Sequence, residues 1–360
     1  MPSVRGQTMR KITGYISRTV FSAIALTLLV FISLDFIFSF IDQLGKIRGG
    51  YTSREAFIYM SLTVPRRLYE LIPYSCLIGS LVGLGLLANS SELTVIRAAG
   101  VSVKRIAWMA LRPAFVFIVA AVILGEYVAP YTEQMADNRR LLVRDNWVRT
   151  TTNMWNREGN EYMHVQAVLP SGVIYGLTRY QFDEQRRLVA ASYTKQAIYQ
   201  EEGYWQEEDV AVTRIGEQGV SNDLLPSRRW ETPLKPNLLN ILVMDPEDMS
   251  ISNLNYYSNY LKEQNLRPGN YALAFWQKTL QPLATMSLVL IAISFIFGPL
   301  RSVTMGQRIF TGIVFGVGFQ LLQKLMGPAS MVFGFAPVFA VLIPIVICIL
   351  VGVFLLSRAR

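Results

Sequence analysis

Six stretches of this 360-residue chain are almost wholly apolar, and they fall into two groups of three separated by about 140 residues of ordinary mixed sequence. They cover residues 14–40, 71–88, 107–125, 275–297, 309–325 and 331–356. Each is close to the roughly 20 residues that a helix rising ~1.5 Å per residue needs to cross a hydrocarbon core. Lipid offers backbone N–H and C=O groups no partner, so each stretch is expected to be helical throughout. The pattern predicts six membrane helices, with an insert between the third and fourth that folds outside the bilayer.

Within the insert the period changes to two. Met163, Val165 and Ala167 alternate with Tyr162, His164 and Gln166, and the same alternation recurs over residues 173–182, 188–200 and 210–215. Asp183-Glu184-Gln185, Glu201-Glu202-Gly203 and Gly216-Glu217-Gln218-Gly219 punctuate these runs, which reads as hairpins of an antiparallel sandwich or open roll. After the strands, Ile251, Leu254, Tyr257 and Leu261 recur at helical spacing, and residues 265–270, with Pro268 and Gly269, read as a hinge into the fourth membrane helix. The expected organisation is a membrane part over residues 1–130 and 268–360 and a β domain with a connecting helix over residues 131–267.

Charge separates the two parts. Residues 131–270 hold 15 Lys/Arg and 19 Asp/Glu, leaving 19 basic and 6 acidic residues elsewhere, so the net charge of +9 is −4 on the insert and +13 on the membrane part. Placing Arg5, Arg10, Lys11 and Arg18 in the cytoplasm also places there the second loop (Arg97, Lys104, Arg105), the fourth (Arg301, Arg308) and the C-terminal end (Arg358, Arg360), as the positive-inside rule requires. The insert then lies on the far side. So does a first loop whose Lys46, Arg48, Arg54, Arg66 and Arg67 break the rule and need another explanation. The N-terminal basic residues before an apolar run resemble a signal peptide, but the run is far longer than an h-region and should remain as the first helix.

Sites of catalysis are not evident. Cys76 and Cys348 lie in apolar runs without metal or redox spacing, no phosphate-binding GxxxxGK[ST] loop follows a strand, and the single histidine, His164, sits in a strand without a ligand cluster. The acids Glu207-Glu208-Asp209 read as a solvated strand edge.

Two other features stand out. Residues 90–100 read as a short capped helix of about nine residues, ~14 Å long. Ser91 is placed to accept from orphan N–H groups, Glu92 to complement the positive helix end and Gly100 to supply the left-handed stop, with Leu93, Ile96 and Ala99 on one face. Such a helix either lies on the membrane or inserts into a groove of a cytoplasmic partner, and spacing alone weighs the two evenly. The second feature is a ring of ionisable residues at the outer ends of the first three spans: Asp35, Asp42, Lys46, Arg66, Arg67, Glu126, Glu133, Arg139 and Arg140. Guanidinium groups above an apolar interior suit a molecule with lipid tails and phosphates, although headgroup anchoring is the simpler account of each. Lys324, inside a span, is a weaker candidate.

Four segments carry a resemblance: Phe40-Ile41-Asp42-Gln43-Leu44; Gly83-Leu84-Gly85-Leu86-Leu87-Ala88 leading into Ser91-Glu92-Leu93; Gly125-Glu126-Tyr127-Val128-Ala129-Pro130; and Phe297-Gly298-Pro299-Leu300-Arg301-Ser302. Together they resemble the LptF/LptG family, permease subunits of the lipopolysaccharide exporter of Gram-negative bacteria, and the similarity runs over nearly the whole chain. The last segment favours the LptG branch over the LptF branch.

The resemblance implies an inner-membrane heterodimer with LptF, each subunit giving six helices and a periplasmic β-jellyroll. It also implies two copies of the ATPase LptB, together with LptC and the periplasmic bridge protein LptA. It makes the segment with Ser91, Glu92, Leu93, Ile96, Arg97 and Gly100 a coupling helix on the ATPase, which tips the balance towards partner binding. In that family basic residues matching Lys46, Arg66 and Arg140 line the outer cavity; the mechanism expected for this chain adds Arg67 and Arg139 as headgroup contacts and Phe31 and Phe38 as walls of the acyl-chain cavity. At Ser39 and Asp137 the chain departs from members that carry Lys and Arg there. No cofactor is expected in this chain, ATP and magnesium being used by the ATPase, and no catalysis of its own. A proton-coupled secondary transporter is the rival from another class, but the acids sit near span ends and no internal repeat is evident.

Overall fold

Helices form over every apolar run, and nearly all extend well beyond it. The computed structural model describes residues 2–47, 51–143, 154–168, 173–200, 202–216, 219–232, 234, 245–263, 268–298 and 303–358. In chain order the helices are α1 (Pro2–Leu44), α2 (Ser53–Asn89), α3 (Glu92–Ala98), α4 (Val103–Ile123), a π-helical turn (Leu124–Val128), α5 (Ala129–Val143), α6 (Ile251–Glu263), α7 (Gly269–Phe297), α8 (Met305–Phe333) and α9 (Pro337–Arg358). Among the described residues six spans are long and apolar enough to cross a membrane, the third running from α4 through the π turn into α5.

Two boundaries differ from the sequence reading. Arg54, Arg66 and Arg67 are not in a loop: α2 begins at Ser53 and carries all three. Gly334, at φ 72°, ends α8, so residues 331–333 close α8 and the sixth span starts only at Pro337. The hinge residues 265–267, like Arg48 and Arg301, lie outside the described residues.

The π turn has a local cause. Pro130 has no N–H to give the carbonyl of Glu126, and its ring crowds that carbonyl, so the ladder slips by one residue and the N–H of Ala129 reaches the carbonyl of Leu124. At the start of α8, Thr304 and Gln307 form a reciprocal capping box.

The chain divides into two compact units, one of Met1–Lys46, Ala56–Glu133 and Ala272–Arg360, the other of Ile47–Glu55 and Gln134–Tyr271. In the first, α2 and α7 bury 72% and 67% of their most apolar stretch against 6% for α1 and 17% for α8, so α2 and α7 form the centre and α1 and α8 the periphery. Cys76, Leu77, Leu81 and Leu84 of α2 meet Leu288, Ile291 and Ala292 of α7, and Cys348 joins them from α9. Helix α1 buries Ile16, Val20 and Ile24 in this core, with Met9, Ile12, Leu28 and Phe31 packed against it. It does so because Gly79 and Gly83, one turn apart on α2, let the two backbones touch: a Cβ on Gly79 would lie 2.5 Å from Cα of Ile24, and one on Gly83 3.0 Å from Cα of Val20. Side chains satisfy backbone oxygens between helices: Ser17 donates to the carbonyl of Met109 (2.8 Å), Gln281 to that of Tyr69 (3.1 Å) and Ser294 to that of Gly352 (2.7 Å).

The second unit holds six strands, β1 (Met154–Glu158), β2 (Glu161–Val168), β3 (Ile174–Phe182), β4 (Leu188–Tyr199), β5 (Trp205–Gly216) and β6 (Gly219–Trp230). Among the described residues they form one antiparallel sheet in the order β1-β2-β3-β4-β5-β6, a meander in which each strand pairs with its sequence neighbour. Strands β1 and β6 were not foreseen. β6 is an edge, which is where Pro226 is tolerated. Met163, Val165, Ile174, Leu177, Ala197, Trp205 and Trp230 form an apolar face covered by Tyr257 and Leu261 of α6, and the indole of Trp205 donates to the carbonyl of Leu234 (2.7 Å). His164 lies on the other face, beside Trp155 with ring centroids 4.8 Å apart.

One acidic reading is overturned. Glu207 is fully buried rather than solvated, because β5 is an inner strand with Arg228 of β6 and Arg179 of β3 close by. Its carboxylate accepts from Arg179 Nη1 (3.0 Å), Arg228 Nε (2.5 Å) and Thr194 Oγ1 (3.3 Å), while Arg179 also pairs with Glu161 and lies over the ring of Trp230.

Two expectations follow from this packing. Gly79→Ala should cost about 1–3 kcal/mol by pushing α1 off α2, whereas Gly318→Ala, with open space around it, should be neutral. Thermal unfolding of the purified chain in detergent compares them. Glu207→Ala leaves two guanidinium groups without their shared carboxylate and should destabilise the β unit by about 3–5 kcal/mol, read as lost hydrogen-exchange protection in β3 to β6.

Candidate functional site

Four of the five basic residues singled out at these span ends, Lys46, Arg66, Arg67 and Arg139, are held by carboxylates. In the first unit Lys46 Nζ lies 2.5 Å from Asp42, and Arg66 reaches Glu70 (3.0 Å) and the buried Glu133 (3.3 Å). Arg67 pairs with Asp35 and donates to Ser39 Oγ (2.5 Å) and Thr63 Oγ1 (3.2 Å). Helical spacing explains the first two, since Lys46 and Asp42, like Arg66 and Glu70, are four residues apart. Arg67 places its guanidinium at position 39, so positive charge stands there although the residue itself is a serine.

The second unit contains Arg139, whose guanidinium grips Glu55 through two bonds of 2.7 and 3.1 Å. That carboxylate holds the Arg139 guanidinium above its ordinary pKa, so it is charged at every physiological pH. Arg140 is half-buried in the same unit. The sequence reading did not foresee Glu55 and Glu70 as partners. The spacing of Glu70 from Arg66 could have shown it, whereas Glu55 and Arg139 are 84 residues apart.

Within the first unit, α1 presents an apolar face that the described residues leave uncovered: Leu26, Leu29, Leu34, Phe38 and Ile41 expose 48–68% of their surface. The two aromatic residues assigned to acyl chains divide here, Phe38 being 68% exposed and Phe31 partly buried against the core. Lys324 is exposed on α8 between Leu321 and Leu325.

Helix α3 departs from its sequence reading. It has seven residues, and Ser91 is in the left-handed region (φ 60°) with no side-chain cap. The Oγ of Ser90 donates to Glu92 instead (2.9 Å), and the hydroxyl of Tyr15 on α1 lies close to the same carboxylate. Gly100, at φ 88°, supplies the left-handed stop as expected. The expected apolar face is split: Leu93 is buried in the membrane-unit core with Ile96 packed against it, while Ala99 is exposed. What α3 offers outward is Val95, 67% exposed, with Thr94 and Ala98. A cleft of about 510 Å³ lies beside it, lined by Ala88, Leu93, Thr94, Arg97, Ala98, Ile296 and Phe297. Arg308, read as a loop residue, is instead fully buried in the first turns of α8.

Six helices long and apolar enough to cross a membrane among the described residues, with a separate antiparallel sheet, define the class of multi-pass membrane proteins. A family model described as lipopolysaccharide export system permease LptF/LptG matches residues 14–358. The lipopolysaccharide export system permease protein LptG of Escherichia coli strain K12 is 36% identical over 349 residues, 96% of this chain and 97% of that protein. The protein of the same name from Haemophilus influenzae is 33% identical over 350 residues, 96% and 98% of the two chains. The chain belongs to the LptF/LptG family of lipopolysaccharide export permeases, and these relatives are of the LptG type. It is therefore a transport subunit of a lipopolysaccharide export system.

The division of α3 into an anchored and an open side is directly measurable. Leu93→Ala should lower the stability of the membrane unit by about 2–5 kcal/mol. Val95→Ala should stay within ~0.5 kcal/mol. Thermal unfolding of the purified variants distinguishes them.

Proposed function

We propose that this chain is the inner-membrane permease subunit that lifts lipopolysaccharide from the outer leaflet and passes it to a periplasmic bridge. On this reading the termini are cytoplasmic. Residues 131–267 form a periplasmic, jellyroll-like domain whose apolar face passes acyl chains, and residues 1–130 and 268–360 form the membrane part. A paralogous LptF-type subunit completes the cavity, a dimer of the ATPase LptB docks on α3, and LptC and LptA receive the lipid. ATP and magnesium belong to the ATPase, and this chain needs no cofactor.

The observation that carries the reading is the uncovered apolar face of α1 ending in a rim of paired charges. Membrane-facing apolar surface accepts lipid tails, and arginine forks accept phosphates in place of carboxylates. Phe38 faces the tails, with Phe31 behind it, and Lys46, Arg66, Arg67, Arg139 and Arg140 meet the headgroup. Arg67, seated on Ser39, supplies the charge that relatives place at that position. For the coupling helix, Ser91, Glu92, Arg97 and Gly100 shape and orient α3, Leu93 and Ile96 anchor it to the bundle, and Val95, Thr94 and Ala98 meet the ATPase. ATP-driven closure of the ATPases then moves α3 and collapses the cavity.

Affinity purification from native membranes in mild detergent, with mass spectrometry of proteins and lipids, tests the reading. It should recover a separate ATPase, a six-span paralogue and lipopolysaccharide, and Arg67→Glu should lower the lipid recovered while leaving the ATPase. A chain recovered alone and active under a proton gradient would overturn it.

A further inference from the structure

Arg308 exposes 1% of its surface although it lies in a bundle of apolar helices. A guanidinium there is costly unless its donors are satisfied, and two acceptors are supplied from α2. Nη1 donates to the carbonyl of Gly85 (2.8 Å) and to Oδ1 of Asn89 (2.9 Å). Gly85 makes this approach possible, since a Cβ there would lie 3.1 Å from Nη1 and 3.3 Å from Cδ of Arg308. The positive charge sits at the negative end of α2, where the last carbonyls lack helical partners.

Asn89 is the final residue of α2, and α3 begins at Glu92, with Ser90 and the left-handed Ser91 between them. The root of α3 is therefore tied to α8 through Arg308, while its first residue lies close to Tyr15 of α1. These two helices are the peripheral spans, α1 with 6% and α8 with 17% of the apolar stretch buried in this chain.

We propose that Arg308 is a positioning residue that couples displacement of α3 to α8. Charge-assisted bonds of this kind are about twice as strong as neutral ones, and breaking them would strand a buried cation. When α3 is pushed, moving α8 with it is the easier course. The inference rests on the reading of α3 as the ATPase-docking helix.

The test uses the complex purified with its ATPase and reconstituted in proteoliposomes containing lipopolysaccharide, with ATP hydrolysis and lipid release measured together. Asn89→Ala removes one acceptor from an exposed position, and Arg308→Lys keeps the charge but not the fork. Both should retain the assembled complex and its ATP hydrolysis. Lipid released per ATP should fall about fivefold in Asn89→Ala, the size of an ordinary coupling between sites. An unchanged ratio in Asn89→Ala, or hydrolysis and release falling in proportion, would overturn the proposal, and Asn89→Ala decides if Arg308→Lys fails to assemble. Absence of an ATPase from the wild-type complex would sink the docking reading instead, a result separable from any effect of the variants.

Discussion

Inside a bilayer a polar group finds its partner within the protein or has none, and this constraint shapes the chain from its helices to its ion pairs. It makes the apolar runs helical and turns Pro130 into the cause of a π turn. It also explains why Ser17, Ser294 and Gln281 reach across to carbonyls of neighbouring helices. Lipid gives apolar helices no reason to prefer each other over tails, so what joins them is close approach and polar contact. Gly79 and Gly83 supply the first for α1, and Ser17 the second.

Burial also separates the two kinds of ion pair. At the span ends, Lys46–Asp42 in the first unit and Arg139–Glu55 in the second involve partly exposed groups, where solvent screens the attraction. A pair that weak holds a side chain in place yet gives way to a more highly charged ligand. Around Glu207 the same chemistry is enclosed by strands, and the cluster is a structural element that pins β3, β5 and β6 in register. The rim can exchange partners and the cluster cannot, which is why only the former enters the proposed function.

The membrane spans and the inner strands could be read directly because each repeats one local rule: near-continuous apolarity for a span, alternation for a strand half-buried on one face. β1 was missed because no such alternation marked Met154-Trp155-Asn156-Arg157-Glu158, and β6 because its edge position left its residues mostly exposed and admitted Pro226. Partners far apart in sequence were equally out of reach. Glu55 and Arg139 are 84 residues apart, and Arg308 and Gly85 are 223, so neither contact leaves a local trace. Glu207 was misread for a related reason: three acids in a row look solvated until the arginines of neighbouring strands close over the first of them.

Helix α3 shows how a correct segment can be assigned the wrong face. An apolar stripe on a short surface helix suits a partner's groove and its own bundle equally well, and periodicity cannot choose between them. Here Leu93 and Ile96 go to the bundle, which fixes the helix rigidly to α2 and leaves a smaller, mixed surface of Val95, Thr94 and Ala98 outside. A docking helix that transmits force needs that allocation. If its apolar face belonged to the partner, the helix would leave with the partner when pulled. Leu93 anchors the helix in the bundle and Asn89 joins its root to Arg308 of α8, which are the contacts the proposed coupling depends on.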